Sequence, residues 1–460
     1  MPCAAFGRLQ KIKTMTRKSP ILTISFAVIV IACAGIAFWP VKKAPLAMPD
    51  LLPRTSEAIP SPEFLKSEAD VKKYRAELAE HPDKIEDYVK LAEIYLQESR
   101  VTANHHFYVP IASALIDETL RRDPNSFEGL VTGAGLQMTL HQFQKADDMV
   151  TRAIQQNPYN ATSYGVLCDA NVELGNYPQA VIACDSMMAK RPDLRSYARA
   201  SYLRQLMGKD SSSIQAMLLA ADAGLSGSES RSWALYQLGN LFFQSGKMDT
   251  AAFIFNGILE ERPGYAYEKS GLAMIHLAKG EYTDAIRELA TALQDLPEHV
   301  FLEQLADVYI AMGDTANSRT LETRVFAAFD MHEQDGWNVD REYAQFAADH
   351  GVRLDEAVSR AEREWKRRPN NADAIETYAW TLYKKGNMQE AETIMERGLK
   401  SGIVTPTMHY HAAIIFASEG KSANAQQEWT LAVARMPYTR PALMRDTKSV
   451  LASHELISMK

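Results

Sequence analysis

The chain has 460 residues, and its 57 acidic and 50 basic side chains give a formal net charge of −7 at pH 7. The charge is spread along the chain with no basic block after residue 19, which argues against nucleic-acid binding. Four cysteines are too few for a disulfide scaffold, and abundant alanine and aliphatic residues with few β-branched runs favour an all-helical protein.

The first 39 residues predict a membrane anchor. Residues 1–19 carry five basic side chains and no acidic one, and residues 20–39 hold an uncharged apolar run, from Ile21 to Trp39, that is long enough to cross a bilayer. Because the basic residues precede the run, the positive-inside rule predicts a cytoplasmic N-terminus. The remainder of the chain is then expected on the outer or periplasmic side of the membrane.

Two other interpretations of this segment stay open. A cleaved signal peptide usually has a shorter apolar region, of roughly 7–15 residues. A lipoprotein signal is suggested by the sequence from Val30 to Cys33, with translation starting at Met15, but the apolar run continues beyond Cys33. The length of the run favours an uncleaved anchor that tethers the chain to a membrane through residues 21–39.

A proline-rich segment, residues 40–64, follows the anchor. Its six prolines predict an extended, semi-rigid spacer. Helix is expected from Pro62 onward, with a helical repeat array over residues 65–440. Residues 441–460 are expected to form a C-terminal tail that adds a capping helix and then frays.

The array repeats one pattern at a fixed spacing. Pro124, Pro158 and Pro192 lie 34 residues apart (158 − 124 and 192 − 158), as do Pro263 and Pro297 (297 − 263). Proline has no N–H with which to continue a helix, so each proline would end the second helix of its unit. Small residues recur where the two helices of a unit would cross, and those of the second helix are Ala146, Ala180, Ala251, Ala285 and Ala391. Each unit leaves an apolar face open, so the units must stack.

This pattern resembles the tetratricopeptide repeat, a helix-turn-helix unit of 34 residues. The resemblance covers roughly four-fifths of the chain and the spacings give about ten repeats. It implies an all-α, right-handed superhelical solenoid, preceded here by the one transmembrane helix. It also implies that the first helix of each repeat, helix A, lines a concave groove that binds peptides or helices.

Outward positions of helix A are the predicted partner contacts. Met, Tyr and Trp are prominent there, as at binding surfaces. The predicted groove residues are Met138, Asp169, Glu173, Arg199, Tyr267, Met274, Glu376, Trp380 and Tyr383. Leu203 of the fourth repeat falls in the same phase. The lysine and asparagine with which co-chaperone members of the family hold a C-terminal carboxylate are missing here, so a chaperone-tail receptor is not expected.

Several places depart from the regular pattern. The first repeat has eight extra residues, expected in the turn between Ser99 and Tyr108, which includes the pair His105-His106. Adjacent histidines suggest a metal or pH-sensitive site, but no acid or cysteine accompanies this pair, which favours a polar loop. Further loops are expected at residues 224–228 and 326–340.

Cys168 and Cys184 are expected to face each other across the two helices of the third repeat. They could form a disulfide in an oxidising compartment. Two free, buried thiols are the interpretation that we favour.

The sequence contains no complete enzyme motif. Gly420-Lys421-Ser422 resembles the end of a phosphate-binding loop, but Ile415 stands where a glycine is needed. We therefore expect no catalytic residue, no cofactor and no metal. The expected function is a non-enzymatic, membrane-tethered scaffold or adaptor for a protein or peptide partner. The alternative is an accessory or regulatory subunit of an envelope enzyme or transport complex.

Overall fold

The computed structural model describes residues 46–54, 60–403, 405–435, 438 and 441–456, so the predicted anchor at residues 20–39 lies outside them. The chain divides into two units, Met1–Ala47 and Met48–Lys460. The described residues form 22 α-helices and no strand, all within the second unit. Among these residues, no helix combines the length and the apolar character that a membrane crossing requires.

Ten helical hairpins follow one another in the second unit, between a first helix α1 (Pro62–Glu80) and a last helix α22 (Pro441–Ser453). We number the hairpins 1 to 10 and call their two helices A and B. Their bounds, in order, are α2 Ile85–Thr102 and α3 His105–Arg122; α4 Phe127–Thr139 and α5 Phe143–Gln156; α6 Ala161–Leu174 and α7 Tyr177–Lys190; α8 Leu194–Leu206 and α9 Asp210–Asp222; α10 Glu229–Gln244 and α11 Met248–Glu261; α12 Ala266–Lys279 and α13 Tyr282–Asp295; α14 His299–Met312 and α15 Thr315–Gln334; α16 Asp340–His350 and α17 Leu354–Arg367; α18 Ala372–Lys385 and α19 Met388–Leu399; α20 Pro406–Ser418 and α21 Ser422–Arg435. The predicted all-helical solenoid of about ten repeats is confirmed.

Small side chains set the distance between the two helices of a hairpin. The five alanines predicted at the crossings have no exposed surface. In hairpins 5 and 6, Gly239 and Gly271 of the A helices both lie against the ring of Phe255, so closely that a Cβ atom at either glycine would overlap that ring. Small residues on helix A therefore make room for a large residue on helix B.

Polar caps and glycines explain where the helices begin and end. At the start of α6 the side chain of Asn160 accepts a hydrogen bond from the N–H of Ser163 at 2.9 Å. After the end of α6, Gly175 adopts a φ of 80°, a left-handed conformation that favours glycine. These local signals repeat along the chain, which is why helix positions could be predicted from the sequence.

The first hairpin differs from its prediction. Helix α2 ends at Thr102 and α3 begins at His105, so the eight extra residues lengthen both helices instead of forming a loop. The rings of Tyr95 and Tyr108 stack with centroids 5.9 Å apart and have no exposed surface. Burial of these two aromatic rings stabilises the longer helices, and the expected polar loop is wrong.

Part of the predicted spacer packs on this hairpin. The Tyr95 hydroxyl donates to the Pro49 carbonyl at 2.7 Å, and the Arg54 guanidinium donates to both oxygens of Glu98 at 3.0 and 2.7 Å. Arg54 and Glu98 are 5% and 0% exposed. The solenoid unit therefore begins before α1, near Met48.

Hairpins distant in sequence contact each other in pairs. His105 Nε2 of hairpin 1 lies 3.1 Å from Glu298 Oε1, directly before hairpin 7. The loop that follows hairpin 7 contacts hairpin 2, since the Asn338 N–H donates to the Leu140 carbonyl at 3.0 Å. The solenoid thus winds back onto itself.

Two further contacts continue this arrangement. Glu173 of hairpin 3 lies 2.7 Å from the Arg368 guanidinium, between hairpins 8 and 9. Arg435, at the end of hairpin 10, donates to the Gly208 carbonyl of hairpin 4 at 2.9 Å. Hairpins 1–4 therefore lie against the segment from hairpin 7 to hairpin 10, and we call these the inter-turn contacts.

Candidate binding groove

The A helices form the inner wall of the solenoid. Each A helix contacts the A helix of a neighbouring hairpin, for example α4 with α6 and α16 with α18, as expected on the inner side of a curved array. The inter-turn contacts bring α6 and α8 opposite α16 and α18. We take the space between these helices as the candidate groove.

Four side chains mark the centre of this groove: Glu173 on α6, Tyr202 on α8, Arg341 on α16 and Asp373 on α18. Tyr202 is 43% exposed, yet burial and the charges of Asp373 and Glu173 raise the pKa of its hydroxyl. Burial also raises the pKa of Glu173, and the charges of Asp373 and Arg341 act on the same carboxyl group. The groove centre is thus accessible to solvent but enclosed by protein, and it carries both signs of charge.

Asp169 and Arg199, both predicted groove residues, form one ion pair. The Arg199 guanidinium donates to the two carboxylate oxygens at 2.8 and 2.6 Å and joins α6 to α8. The Asp169 side chain is 37% exposed and the Arg199 side chain is 25% exposed. This ion pair therefore keeps exposed surface, and Arg199 lies one turn before Tyr202 on α8.

Three other predicted residues are half-buried. Met138 and Met274 keep part of their surface exposed, and Met274 also packs against the hydrophobic core. The Tyr267 ring lies 5.4 Å from the Tyr236 ring and 5.3 Å from the Phe301 ring, and burial raises the pKa of its hydroxyl. Tyr267 thus lies in an aromatic row along α10, α12 and α14.

Hairpin 9 places its predicted contacts mainly in the core. Trp380 has no exposed surface, stacks on His411 of the next hairpin at 3.8 Å and donates to Asp349 at 2.9 Å. Glu376 is 5% exposed and hydrogen-bonded to His411, and burial raises its pKa to about 8. Tyr383, stacked on Trp380, keeps exposed surface. In this structure Trp380 and Glu376 hold hairpins 8, 9 and 10 together.

Sequence reasoning missed Tyr202 because helix A of hairpin 4 starts early. Asn160 caps α6 two residues after its proline, whereas Asp193 caps α8 directly after Pro192. The outward-facing positions of α8 are therefore shifted by one residue relative to the repeat pattern, so that Tyr202 is exposed and Leu203 is buried. The capping pair Asp193 and Ser196 was the signal in the sequence that could have shown this shift.

One end of the groove is occupied by the chain itself. Helix α22 contacts α14, α16 and α20, which are all A helices. Thr447 and Leu451 of α22 are 1% and 0% exposed. The predicted C-terminal tail therefore contains a helix that lies on the inner wall.

The two adjacent histidines of hairpin 1 have acidic partners that are distant in sequence. His105 lies 3.1 Å from Glu298, and His106 is hydrogen-bonded to Asp335. The His332 ring stacks on Trp337 at 4.8 Å and lies 5.8 Å from the His105 ring. Burial lowers the pKa of His332 to about 4, and the neighbouring histidines add to this effect. Glu298 directly precedes hairpin 7 and Asp335 directly follows it, so the lack of acidic residues near His105 in the sequence was misleading.

Two further groups of potential metal ligands among the described residues have local partners. Cys168 and Cys184 are free, buried thiols, and hydrogen bonding between them together with burial raises the pKa of Cys168. In the described part of the chain, His276, Glu281 and Asp284 bring ligand atoms within 4.8 Å of one another. This trio lies at the turn of hairpin 6, where His276 and Glu281 simply form a 2.6 Å hydrogen bond.

A comparison with protein-family models agrees with the repeat pattern. Residues 242–301 match the family model of the tetratricopeptide repeat, and the comparison with curated proteins gives no match. Similar solved structures include a tetratricopeptide repeat protein from Parabacteroides merdae, with 14% identity over 63% of this chain and 99% of that one and a TM-score of 0.34. The human IFIT1 dimer with PPP-AAAA has 12% identity over 82% and 91% of the chains and a TM-score of 0.43. Pseudomonas aeruginosa pilF has 13% identity over 45% and 95% and a TM-score of 0.36.

Proposed function

We propose that this chain, a solenoid of tetratricopeptide repeats, is a non-enzymatic scaffold that binds a protein or peptide partner in the groove of its A helices. Residues 21–39 tether it to a membrane, with the solenoid on the outer or periplasmic side. The observation that carries the proposal is Tyr202 on α8, which is 43% exposed and lies close enough to Asp373 of α18 and Glu173 of α6 for their charges to add to burial in raising the pKa of its hydroxyl. Enclosed, partly apolar grooves suit short segments of other proteins.

The chemistry of the groove supports a peptide ligand. The Arg341 guanidinium is paired with Glu342 at 2.9 Å and also interacts with the charges of Asp373 and Glu173. Tyr202 and Tyr267 offer aromatic surface at low conformational cost. The net charge of −7 disfavours the phosphate backbone of nucleic acids. A partner segment with apolar side chains and charges of both signs fits these walls.

Site-specific photo-crosslinking tests the proposal. A photoreactive amino acid replaces Tyr202 in one full-length chain and Tyr159 in another, expressed in cells. Tyr159 is the matched control because it is 82% exposed, in the turn before α6. We expect a discrete crosslinked protein from position 202 and none, or at least severalfold less, from position 159. Equal amounts of crosslinked product at both positions would show that the partner does not bind in the groove.

Fractionation of the same cells tests the tether. The apolar run with its basic flank supports the anchor, so the full chain and its crosslinked product should sediment with membranes. A chain that begins at Met48, where the solenoid unit starts, should stay in the soluble fraction. Membrane binding of this shorter chain that resists high salt would show that residues 21–39 are not the tether.

A further inference from the structure

The position of α22 distinguishes it from an ordinary capping helix. A helix that only covers the open end of an array contacts the last repeat. Helix α22 contacts α20 of hairpin 10, but also α14 and α16 of hairpins 7 and 8. It therefore lies across the inner wall of the solenoid, along the surface that the proposed function assigns to the partner.

The side chains of α22 follow the pattern of a helix bound in a groove. Thr447 and Leu451 are buried, and Met444 and Val450 pack partly against the core. Residues 444, 447 and 451 are spaced i, i+3 and i+7, which places them on one face of the helix. On the opposite face, Ser449 is exposed, as is Lys448 beside it.

Polar contacts fix the register of this face. The Tyr410 hydroxyl of α20 lies 2.6 Å from the Thr447 hydroxyl and 3.5 Å from the Met444 sulfur. Tyr410 has no exposed surface. The contact is specific, because a helix shifted along the groove would lose the hydrogen bond between the buried Tyr410 hydroxyl and Thr447.

We propose that α22 is an intramolecular ligand of the groove and that it competes with an outside partner for the section lined by α14, α16 and α20. The outside partner of this section is an amphipathic helix with the same i, i+3, i+7 spacing of small hydroxyl and apolar residues. This identification of the outside partner rests on the proposed function, whereas the occupation by α22 does not.

The short connection makes α22 a strong competitor. Only residues 436–440 separate α21 from α22, and Tyr438 within them stacks on Phe243 of α10 at 5.4 Å. A tether of this length gives an effective concentration in the roughly millimolar range. An outside helix therefore binds well only when α22 is weakened or released, since its apparent affinity falls with the fraction of empty grooves.

A labelled peptide tests this proposal without any outside partner. The probe is a synthetic, fluorescein-labelled peptide of residues 438–456, added to the full chain and followed by fluorescence anisotropy. Leu451→Asp places a carboxylate at a fully buried position and should release α22. Ser449→Asp introduces the same side chain at an exposed position of the same helix and is the matched control. We expect the peptide to bind the Leu451→Asp chain at least tenfold more tightly than the wild-type and Ser449→Asp chains.

Hydrogen exchange separates release from unfolding. In the Leu451→Asp chain, amides of α22 should lose protection while α14 and α16 keep it. Tyr410→Phe, which removes only the hydroxyl that meets Thr447, should give a smaller change in the same direction. The proposal is overturned if the peptide binds neither the Leu451→Asp nor the Tyr410→Phe chain, or if both chains lose protection throughout hairpins 7–10. Helix α22 would then be a structural part of the fold. Because the peptide belongs to this chain, the absence of a crosslinked partner at position 202 would leave this result unaffected.

Discussion

Glu268 shows how strongly burial can change one side chain in this solenoid. It lies in the first turn of α12, has no exposed surface, and neither of its carboxylate oxygens has a hydrogen-bond partner among the described residues. Burial raises its pKa to about 8, so the carboxyl group holds a proton near neutral pH. A protonated carboxyl costs far less to bury than an ionised one.

This protonation gives Glu268 a predictable effect on stability. The folded state binds the proton more tightly than the unfolded chain, so the contribution of Glu268 to stability falls as the pH rises from about 4.5 to about 8. Glu268→Gln should remove this loss, because glutamine has no proton to release. The variant should be more stable than the wild type at pH 8, by up to roughly 1.4 kcal/mol for each unit of pKa shift, and nearly equal to it at pH 4.5. Urea unfolding at the two pH values measures the difference.

Glu260→Gln is the control for this comparison. Glu260 is exposed near the end of α11, so its replacement should leave the pH dependence of stability unchanged. If Glu268→Gln and Glu260→Gln responded alike at pH 8, Glu268 would be ionised in the folded chain. The buried, uncharged state inferred from its surroundings would then be wrong.

At the scale of the helical hairpin, the sequence was informative because its signals are local. Prolines, caps and crossing alanines act within one 34-residue unit, so the number of hairpins and the fully buried Ala180 could be predicted. The burial of Trp380 could not, because it depends on His411 in the next hairpin and Asp349 in the previous one. An outward position of helix A faces either solvent or a neighbouring repeat, and the repeat period alone does not distinguish the two.

The crossing of α6 and α7 provides a test of the hairpin register. Ala180→Leu puts a larger side chain where the two backbones approach, and overpacking of this kind typically costs about 1–3 kcal/mol. Because each hairpin is stabilised by its neighbours, hairpins 2–4 should exchange their amide hydrogens faster. The start of α18 should also be affected, since the Ala372 N–H donates to the Tyr177 hydroxyl of α7 at 2.8 Å. Hydrogen exchange should stay unchanged in hairpin 6.

The same substitution at an exposed site controls for helix propensity. Ala189 lies on α7 and is exposed, so Ala189→Leu should change stability by no more than roughly half a kcal/mol. Similar exchange in the Ala180→Leu and Ala189→Leu chains would show that α6 and α7 do not cross at Ala180.

At the scale of the whole solenoid unit, the inter-turn contacts are the feature that sequence could not provide. A 34-residue period defines the hairpin but leaves the pitch of the superhelix open, so nothing in the period places His105 beside Glu298 or Glu173 beside Arg368. The same contacts bring the two walls of the groove together. The predicted groove residues lie on A helices, but their surroundings depend on these contacts. Arg341 and Asp373 face α6 and α8 only after the chain has wound back, so the repeat period does not indicate them.

We expect the histidine cluster to make one inter-turn contact sensitive to acid. His332 of α15 is 6% exposed, and its pKa is lowered to about 4 by burial and by the neighbouring histidines. The titratable groups around it are His105, His106, Glu298, His299 and Asp335. The carboxylates pair with His105 and His106, which leaves His332 against the Trp337 ring. An additional positive charge on His332 would therefore be poorly compensated.

Acid should weaken this contact, and His332→Gln should reduce the effect. The folded chain binds the His332 proton more weakly than the unfolded chain, whose histidine has a pKa of about 6.5, so stability is full above pH 6.5 and falls as the pH approaches 4. Hydrogen exchange in the first turn of α3 and in residues 335–339, corrected for the intrinsic effect of pH, should accelerate by up to about tenfold per pH unit between pH 6.5 and 5. In the His332→Gln chain this acceleration should be smaller, because glutamine takes up no proton.

His81→Gln, which removes an exposed histidine directly after α1, should behave like the wild type. If hydrogen exchange accelerated equally in all three chains, the acid response would come from other groups, and His332 would not couple hairpin 1 to hairpin 7.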